Sequence, residues 1–534
     1  MNMNSKKWLM CWGSMVVLIL AVIGSFVYKV DPFFHFHKPY TNAYYYTIDN
    51  ERSQNDGISK NFEYDALITG TSMTENFKTS EFDKIFGVNS VKLPYAGGSY
   101  KEINDHIALA LKNNDQLKTI IRCLDMNYFY ENASAMHDDL NKYPTYLYDN
   151  NPFNDINYLL NRDVIFNRVY SMMTENDRND FNPGITSFDD YARWQDWFSY
   201  GTKSIYGNDM LDKLLYSGPG NNKVHLSDEE KAIIKENITQ NVTSIADEYP
   251  DVKFYYYFSP YSAVYWEPLV ETGEIYKHVE TEKYIIELIL EHKNIYLFSF
   301  NNRADIITDL NNYRDSIHYG QWINSLILYW MKDGKYLLTN ENYQEYLNQE
   351  LEIYLDYDYN NLYTQVDYES DYYAAALLNE EITGATPYNL LESDSDIYMS
   401  GAVVESGEDG KKQLKCVGRL NREENENELW KYLLDNEYVG AKVEIEDITG
   451  YNYLTFYGRK VLDCGQPGVF VYNDSGQIIS IMTQEFNDLD NEWHQYVLDI
   501  SNASGKVTII FNGGYKDRTG PPDSEYLFKD IVLY

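Results

Sequence analysis

The chain opens with an unbroken apolar stretch. From Trp8 to Tyr28 it reads WLMCWGSMVVLILAVIGSFVY, with no charged side chain. As a helix this run spans about 31 Å, the thickness of a bilayer hydrocarbon core. Lys6 and Lys7 precede it, and Lys29 is followed closely by Asp31. The positive-inside rule then keeps the short N-terminus in the cytoplasm and exports the rest. A cleaved signal peptide is the competing reading, but its apolar region is shorter and ends in small residues. The bulky Phe26-Val27-Tyr28 end favours an uncleaved anchor. Residues 1–30 are therefore expected to form a cytoplasmic stub and a single-pass anchor of the cell membrane, with the bulk of the chain extracellular.

Beyond the anchor, short apolar runs alternate with helical periodicity. Strands are expected at Tyr64 to Gly70 (YDALITG), Asn89 to Leu93 (NSVKL), Lys118 to Leu124 (KTIIRCL), Val252 to Phe258 (VKFYYYF) and Ile295 to Phe300 (IYLFSF). Between them Ile103, Ile107, Ala110 and Leu111 recur at helical spacing. Ser227 with Glu230 makes a capping-box start, and Glu280 to His292 reads as another helix. After Gly320, Ile323, Leu326, Ile327, Trp330 and Met331 share one helix face. This alternation predicts an α/β fold, a doubly wound and mostly parallel sheet, over residues 31–355. An insertion near 131–222, rich in Asn, Asp and Tyr, interrupts it. Residues 356–388 are acidic and Tyr-rich and read as a linker. From 389 to 534 short alternating runs between turn signals such as Asp409-Gly410 and Thr449-Gly450 predict an all-β sandwich.

Composition sharpens this picture. The chain has 534 residues, 44% hydrophobic and 24% charged, which excludes a mainly disordered protein. Its net charge of -38 repels phosphate backbones, so nucleic acid is not an expected partner. The 53 tyrosines suit stacking on sugars, and equally suit compositional drift. Cys11, Cys123, Cys416 and Cys464 make neither a disulfide framework nor a zinc pair. Cys416 and Cys464 fall in the same region, either as a disulfide or as two small buried hydrophobes.

Two short motifs carry chemistry. Gly70-Thr71-Ser72-Met73 directly follows the first strand. A Ser on that turn sits at the carboxyl edge of the sheet, where open α/β folds bind ligands. The helix expected over Thr74 to Phe86 would add amides that favour an oxyanion. Asp315-Ser316-Ile317-His318 lies before the last helix of the α/β region. That spacing folds a carboxylate back onto the imidazole, which then removes the proton of Ser72. Each motif alone also fits an ordinary turn or helix start; the pair points to a catalytic Ser72, His318 and Asp315. His35 and His37, next to aromatics just outside the bilayer, read as an interfacial belt rather than a metal pair. No HExxH, Walker or dinucleotide glycine motif appears, and no cofactor or metal is expected.

On GTSM (Gly70 to Met73), YAGGS (Tyr95 to Ser99) and DSIH (Asp315 to His318), the chain resembles the SGNH (GDSL-like) hydrolase superfamily. The resemblance implies a Ser nucleophile completed by Asp and His, with an oxyanion hole of the Ser72 amide and that of Gly97 or Gly98. The family's Asn normally stands in Gly-x-Asn-Asp. Here Asn127 lies at the corresponding place within Leu124-Asp125-Met126-Asn127, as an oxyanion donor or as a turn residue. The short GTSM block, the anchor and the insertion look more like membrane-anchored SGNH-type O-acyltransferases of cell-surface polysaccharides, such as the alginate O-acetyltransferase group and the D-alanine transfer protein of teichoic acids. That layout implies a polysaccharide acceptor and a polytopic membrane acyl-donor protein as partners. A carbohydrate esterase and a non-catalytic polysaccharide-binding scaffold are the other readings. The C-terminal region, with Trp493-His494-Gln495-Tyr496, Asp499-Ile500-Ser501 and a closing strand from Glu525 to Tyr534, resembles jelly-roll carbohydrate-binding modules. Trp430, Tyr451, Tyr453 and Trp493 are its candidate sugar contacts, each alternatively a core residue.

Overall fold

The computed structural model describes residues 5–136, 143–149, 151–175, 181–190, 194–207, 216–365, 367, 374, 377–378, 388–391, 397–400, 402–407, 411–418, 438–462, 468–482, 493–500, 502–515 and 524–534. They divide into two compact units, Met1–Asp367 and Tyr368–Tyr534.

The first unit is built on five parallel strands: β1 (Ala66–Gly70), β2 (Ser90–Pro94), β3 (Thr119–Cys123), β4 (Lys253–Phe258) and β5 (Ile295–Ser299), in the spatial order β2-β1-β3-β4-β5. Every residue of β1 and β2 is buried, as a parallel sheet covered on both faces requires. The chain leaves β1 towards β2 and then returns past it to β3. At such a reversal, beyond the carboxyl ends of the strands, open α/β sheets bind their ligands.

The helices follow the periodic segments. In chain order they are α1 (Ser5–Val30), α2 (Glu51–Asn61), α3 (Thr79–Phe86), α4 (Tyr100–Asn113), α5 (Asp228–Ile238), α6 (Ala263–Thr272), α7 (Ile275–Ile289), α8 (Gln321–Lys332) and α9 (Tyr343–Asp356). Ser99 caps α4 through the Glu102 amide, and Ile103, Ile107, Ala110 and Leu111 form its buried face. Ser227 and Glu230 form a reciprocal capping box on α5. The helix expected over Glu280 to His292 begins earlier, at Ile275. The helix expected from Thr74 begins only at Thr79. Lys92 Nζ donates to the carbonyls of Glu75 and Phe77, which pulls this segment away from helical bonding.

α1 is the one helix among the described residues that is long and apolar enough to cross a membrane, by length and composition: Lys7–Val30 has a mean hydropathy of 2.3. Its exit is fixed by Asp31, whose carboxylate accepts the backbone N–H groups of His35, Phe36 and His37 and the Tyr158 hydroxyl. Burial pushes the Asp31 carboxyl up, against these donors. Gly57 of α2 lets this segment approach, since a Cβ there would meet the Phe33 carbonyl oxygen at 2.2 Å. His35 bonds Asp155 at 3.1 Å and His37 the Tyr28 carbonyl at 2.9 Å, so the two imidazoles serve the helix exit.

Within the insertion the described residues form short pieces. They include helices Ile156–Leu159, Tyr170–Glu175 and Trp194–Trp197, and a π-turn Val164–Val169. The acidic stretch after α9 starts as a wall of the first unit: Tyr359 and Leu362, in the turn Tyr359–Thr364, are fully buried.

The second unit consists of antiparallel strands: β6 (Tyr388–Asn389), β7 (Ile397–Ser400), β8 (Ala402–Ser406), β9 (Lys412–Gly418), β10 (Tyr438–Ile445), β11 (Tyr453–Leu462), β12 (Gly468–Asn473), β13 (Ile478–Met482), β14 (His494–Asp499), β15 (Val507–Tyr515) and β16 (Ser524–Leu533). One sheet has the order β8-β9-β16-β11-β14 with β6 on β16; the other is β13-β12-β15-β10-β7. Both contribute to one core that includes Leu414, Val443, Phe456, Ile509, Phe511 and Phe528. The alternation is visible in β10, where Val443 is buried and Lys442 and Glu444 form an outer ion pair at 2.7 Å. Cys416 is a free, fully buried thiol, pushed up by that burial, and Cys464 lies outside the described residues.

Candidate functional site

Ser72 sits where β1 ends. Gly70 has φ +150, and a Cβ there would meet Thr74 Cγ2 at 2.7 Å and Cys123 Cβ at 3.0 Å, so only glycine lets β1 turn this tightly against β3. Ser72–Thr74 then forms a single 3₁₀ turn. Three side chains fix it. Thr71 Oγ1 donates to Asp125 Oδ2 (3.0 Å), Thr74 Oγ1 to the Thr71 carbonyl (2.8 Å), and Asn324 Nδ2 on α8 to the Met73 carbonyl (3.0 Å).

The loop Tyr313–Tyr319 is held equally firmly. Arg314 N–H donates to the His318 carbonyl at 3.0 Å and Gly320 N–H to that of Asn312 at 2.9 Å. Ser262, just after β4, gives both its N–H and its hydroxyl to the Ser316 carbonyl, and the Tyr313 hydroxyl bonds the Pro260 carbonyl. At about 1 kcal/mol net per bond, this set is enough to hold one loop geometry.

These two supports bring the distant motifs together. Ser72 Oγ lies 2.9 Å from His318 Nε2. His318 Nδ1 lies 2.8 Å from Asp315 Oδ2 and 3.0 Å from Oδ1. Burial raises the Asp315 carboxyl, but the hydrogen bond and charge of His318 and the N–H groups of His318 and Ile317 outweigh it and bring it down to about 2. The result is a hydroxyl, a base and an orienting carboxylate in line, the arrangement that activates a nucleophile.

Of the expected oxyanion donors, the structure separates Gly97 from Gly98. The Gly98 N–H is spent on the Tyr95 carbonyl at 2.7 Å, which removes Gly98 from the hole. Gly97, at φ +64, makes no amide bond among the described residues, and neither does the Ser72 N–H. Both stand at the same sheet edge, because Gly70 pairs with Pro94 in register. Asn127 is exposed in the turn after β3, and its Nδ2 donates to the Tyr261 hydroxyl at 3.3 Å, leaving one amide hydrogen unspent. Asp125 is buried beneath, where it accepts from Thr71, Tyr261 and the Asn127 N–H; it is scaffold.

Three further groups border the triad. Trp194, from the insertion, meets the His318 ring edge-on at 5.1 Å. Arg314 lies 3.5 Å over the Phe198 ring and places Nε 3.5 Å from Asp315 Oδ2. Trp194 Nε1 donates to Glu75 Oε2 (3.1 Å), and the Glu51 carboxyl lies close enough to that of Glu75 for the two to titrate together. Burial, with the Glu75 charge next, pushes Glu51 up to about 8, so this pair shares a proton. Beside them burial pulls Lys92 down to about 7. Arg314 adjoins DSIH in sequence and Glu75 follows Ser72 by one turn, so both were accessible signals; Trp194 carries none.

In the second unit, Trp430 lies outside the described residues. Tyr451 is half-buried and packs against the sandwich core, the alternative role the sequence left open for it. Tyr453 and Trp493 are half-buried at the ends of β11 and β14. Lys529 Nζ lies 4.4 Å from the Trp493 ring centre. Among the described residues no cluster of His, Cys, Asp and Glu has the makings of a metal site.

No family profile matches the chain. Part of it, 23%, is 30% identical over 135 residues to an uncharacterized protein of Acanthamoeba polyphaga mimivirus, and the chain spans about half (49%) of the length of that curated relative. Similar solved structures include a mutant family 29 carbohydrate-binding module (12% identity, 28% of this chain and 92% of that chain, TM-score 0.19). They also include the family 11 carbohydrate-binding module of a cellulosomal cellulase of Clostridium thermocellum (11%, 28% and 85%, TM-score 0.16). A third is a family 6 module of Clostridium stercorarium in complex with cellobiose (10%, 28% and 91%, TM-score 0.17).

Proposed function

We propose that the chain is a membrane-anchored, extracytoplasmic serine O-acyltransferase of SGNH type that esterifies hydroxyls of a cell-surface polysaccharide. The observation that carries this reading is the continuous hydrogen-bonded line from Ser72 through His318 to Asp315. Ser72 Oγ attacks the carbonyl carbon of an acyl donor while its proton passes to His318 Nε2. The oxyanion is held by the N–H groups of Ser72 and Gly97. The leaving group takes the proton from His318, and an acyl-Ser72 ester remains. A sugar hydroxyl, deprotonated by His318, then attacks that ester, and Ser72 recovers its proton. The apolar helix α1 supports a site near the membrane, where a polytopic partner hands over the acyl group.

Hydrolysis is the second reading, favoured by one observation: the Asp315 side chain is 40% exposed and that of His318 21%, so water has access to the base. A glycan esterase would use the same triad with water as acceptor.

The test uses the full-length chain in lipid nanodiscs with a small activated acetyl ester. Intact mass is expected to show one acetyl adduct that Ser72→Ala abolishes. Added oligosaccharide is expected to discharge the adduct into an acetylated sugar; release of acetate alone would select the esterase. Turnover that survives Ser72→Ala would overturn both.

A further inference from the structure

The insertion carries an apolar surface that the proposed chemistry does not use. Phe153, Ile156, Phe166, Tyr170 and Met173 are exposed at 88, 56, 61, 63 and 36%. Phe166, Tyr170 and Met173 recur at i, i+4 and i+7 and form one face of the helical run Val164–Val169 and Tyr170–Glu175. Val164, Val169 and Met172 fill the opposite, buried face. A polar chain of net charge -38 has no folding reason to display such a stripe to water.

Its position identifies the occupant. The insertion packs along the end of α1, with Gly24, Val27 and Val30 buried at that contact. A Cβ on Gly24 would touch Leu159 Cβ at 3.7 Å. Gly24 lies six residues before the end of α1, so the short helix Ile156–Leu159 reaches about 9 Å back along the apolar helix. That matches the depth of about 5–10 Å at which interfacial helices bury their apolar faces. Phe26 and Tyr28 near the same end of α1 are exposed too, at 46 and 52%, as aromatics of an interfacial belt are.

We infer that residues 153–173 seat this face in the outer-leaflet interface of the bilayer, as a second, monotopic membrane contact that fixes the tilt of the α/β unit over the membrane. The inference rests on the reading of α1 as a spanning helix. The contact is apolar and needs no anionic lipid, since the chain is itself strongly acidic.

Single spin labels report it in the full-length chain, reconstituted in phosphatidylcholine nanodiscs with Cys11 and Cys464 replaced by Ser. Labels enter through Phe153→Cys, Phe166→Cys and Tyr170→Cys, with Leu18→Cys in α1 and Lys235→Cys on the exposed side of α5 as references. At 153, 166 and 170, as at 18, dissolved oxygen is expected to relax the label more than a water-soluble nickel chelate does, the reverse of the order at 235. A water-like order at all three with position 18 in lipid would overturn the inference and leave the anchor standing. A water-like order at 18 as well would overturn both. Protection from both reagents would mean that protein covers the face, and would overturn it too.

Discussion

Asp315 holds His318 by two parts of the same residue. Its Oδ2 bonds the ring at Nδ1 (2.8 Å), while its Oδ1 takes the backbone N–H of His318 (2.8 Å). Ring and backbone are thus fixed by one carboxylate, and Nε2 is left facing Ser72. The acceptor on Nδ1 also sets the tautomer, because only the Nδ1–H form leaves a basic Nε2.

Asp315→Asn keeps the shape and loses that control. The turnover of the activated ester is expected to fall by about 10³–10⁴ in kcat with KM little changed, by analogy with serine-protease triads. A variant turning over at the wild-type rate would remove Asp315 from the mechanism. Stability shifts as well. Because the folded carboxyl titrates at about 2, below its ordinary 3.8, its contribution is present above about pH 4 and is lost as pH falls towards 2. Thermal melts across that window should be flatter for Asp315→Asn.

The Glu51–Glu75 pair gives the opposite sign. The Glu51 carboxyl is raised from 4.5 to about 8, so the folded state keeps a proton that the unfolded chain has released. Its stabilisation is complete below pH 4.5 and is lost as pH rises through 8. Lys92, lowered from 10.5 to about 7, changes stability only above that value, so pH 5 to 7 isolates the carboxyls. Glu51→Gln keeps an acceptor for the Ala96 N–H, now bonded at 2.8 Å. Its melting temperature relative to wild type should climb from pH 5 to pH 7. Parallel curves would mean that no proton is shared there.

Gly98→Ala tests the oxyanion loop. The added Cβ would lie 2.8 Å from the Tyr95 carbonyl oxygen and 3.1 Å from Glu102 Oε2, so the loop carrying the Gly97 N–H must shift. Loss of one oxyanion donor costs about 10²–10³ in kcat. A fall of that size is expected with the fold intact by circular dichroism. An unchanged kcat would place the oxyanion elsewhere.

How far the sequence revealed this arrangement depended on whether a residue's role is local. The five strands of the first unit are short runs rich in apolar residues, and the structure forms them within a residue or two of their expected ends. Asp315 and His318 share one turn, and Ser72 follows a strand, so both halves of the site showed in short motifs. The choice between Gly97 and Gly98 did not, because it depends on which N–H the Tyr95 turn consumes. Glu51, Glu75 and Lys92 are far apart in sequence and carry no shared motif, yet the fold brings the two carboxyls next to the buried Lys92 ammonium. Trp194 reaches His318 from an insertion whose polar composition gives no periodicity. Tyr451 looked like Tyr453 in sequence, and only the fold shows that Tyr451, two residues before β11, packs on the sandwich core.

The two faces of β11 set the last expectation. Along β11, Leu454 and Phe456 point into the core, so Tyr453, Tyr457 and Arg459 alternate to the other face. Tyr457 pairs with Lys529 on β16 and with Gln495 on β14, and Trp493 stands one residue before β14. Lys529 Nζ lies 4.4 Å from the Trp493 ring and 5.9 Å from that of Tyr457, so the three side chains form one aromatic and cationic patch. Flat rings beside a hydrogen-bond donor suit a sugar, whose apolar ring face stacks while its hydroxyls accept. If the sandwich holds the polysaccharide, Trp493→Ala should weaken retardation of the full-length protein in gels containing soluble glycans by about 2 kcal/mol, roughly thirtyfold, as expected for a central aromatic contact. Tyr451→Ala should instead lower the melting temperature, because its ring packs on the core. Retardation unaffected by Trp493→Ala but abolished by Tyr451→Ala at unchanged stability would move the sugar surface to the other end of the sheet.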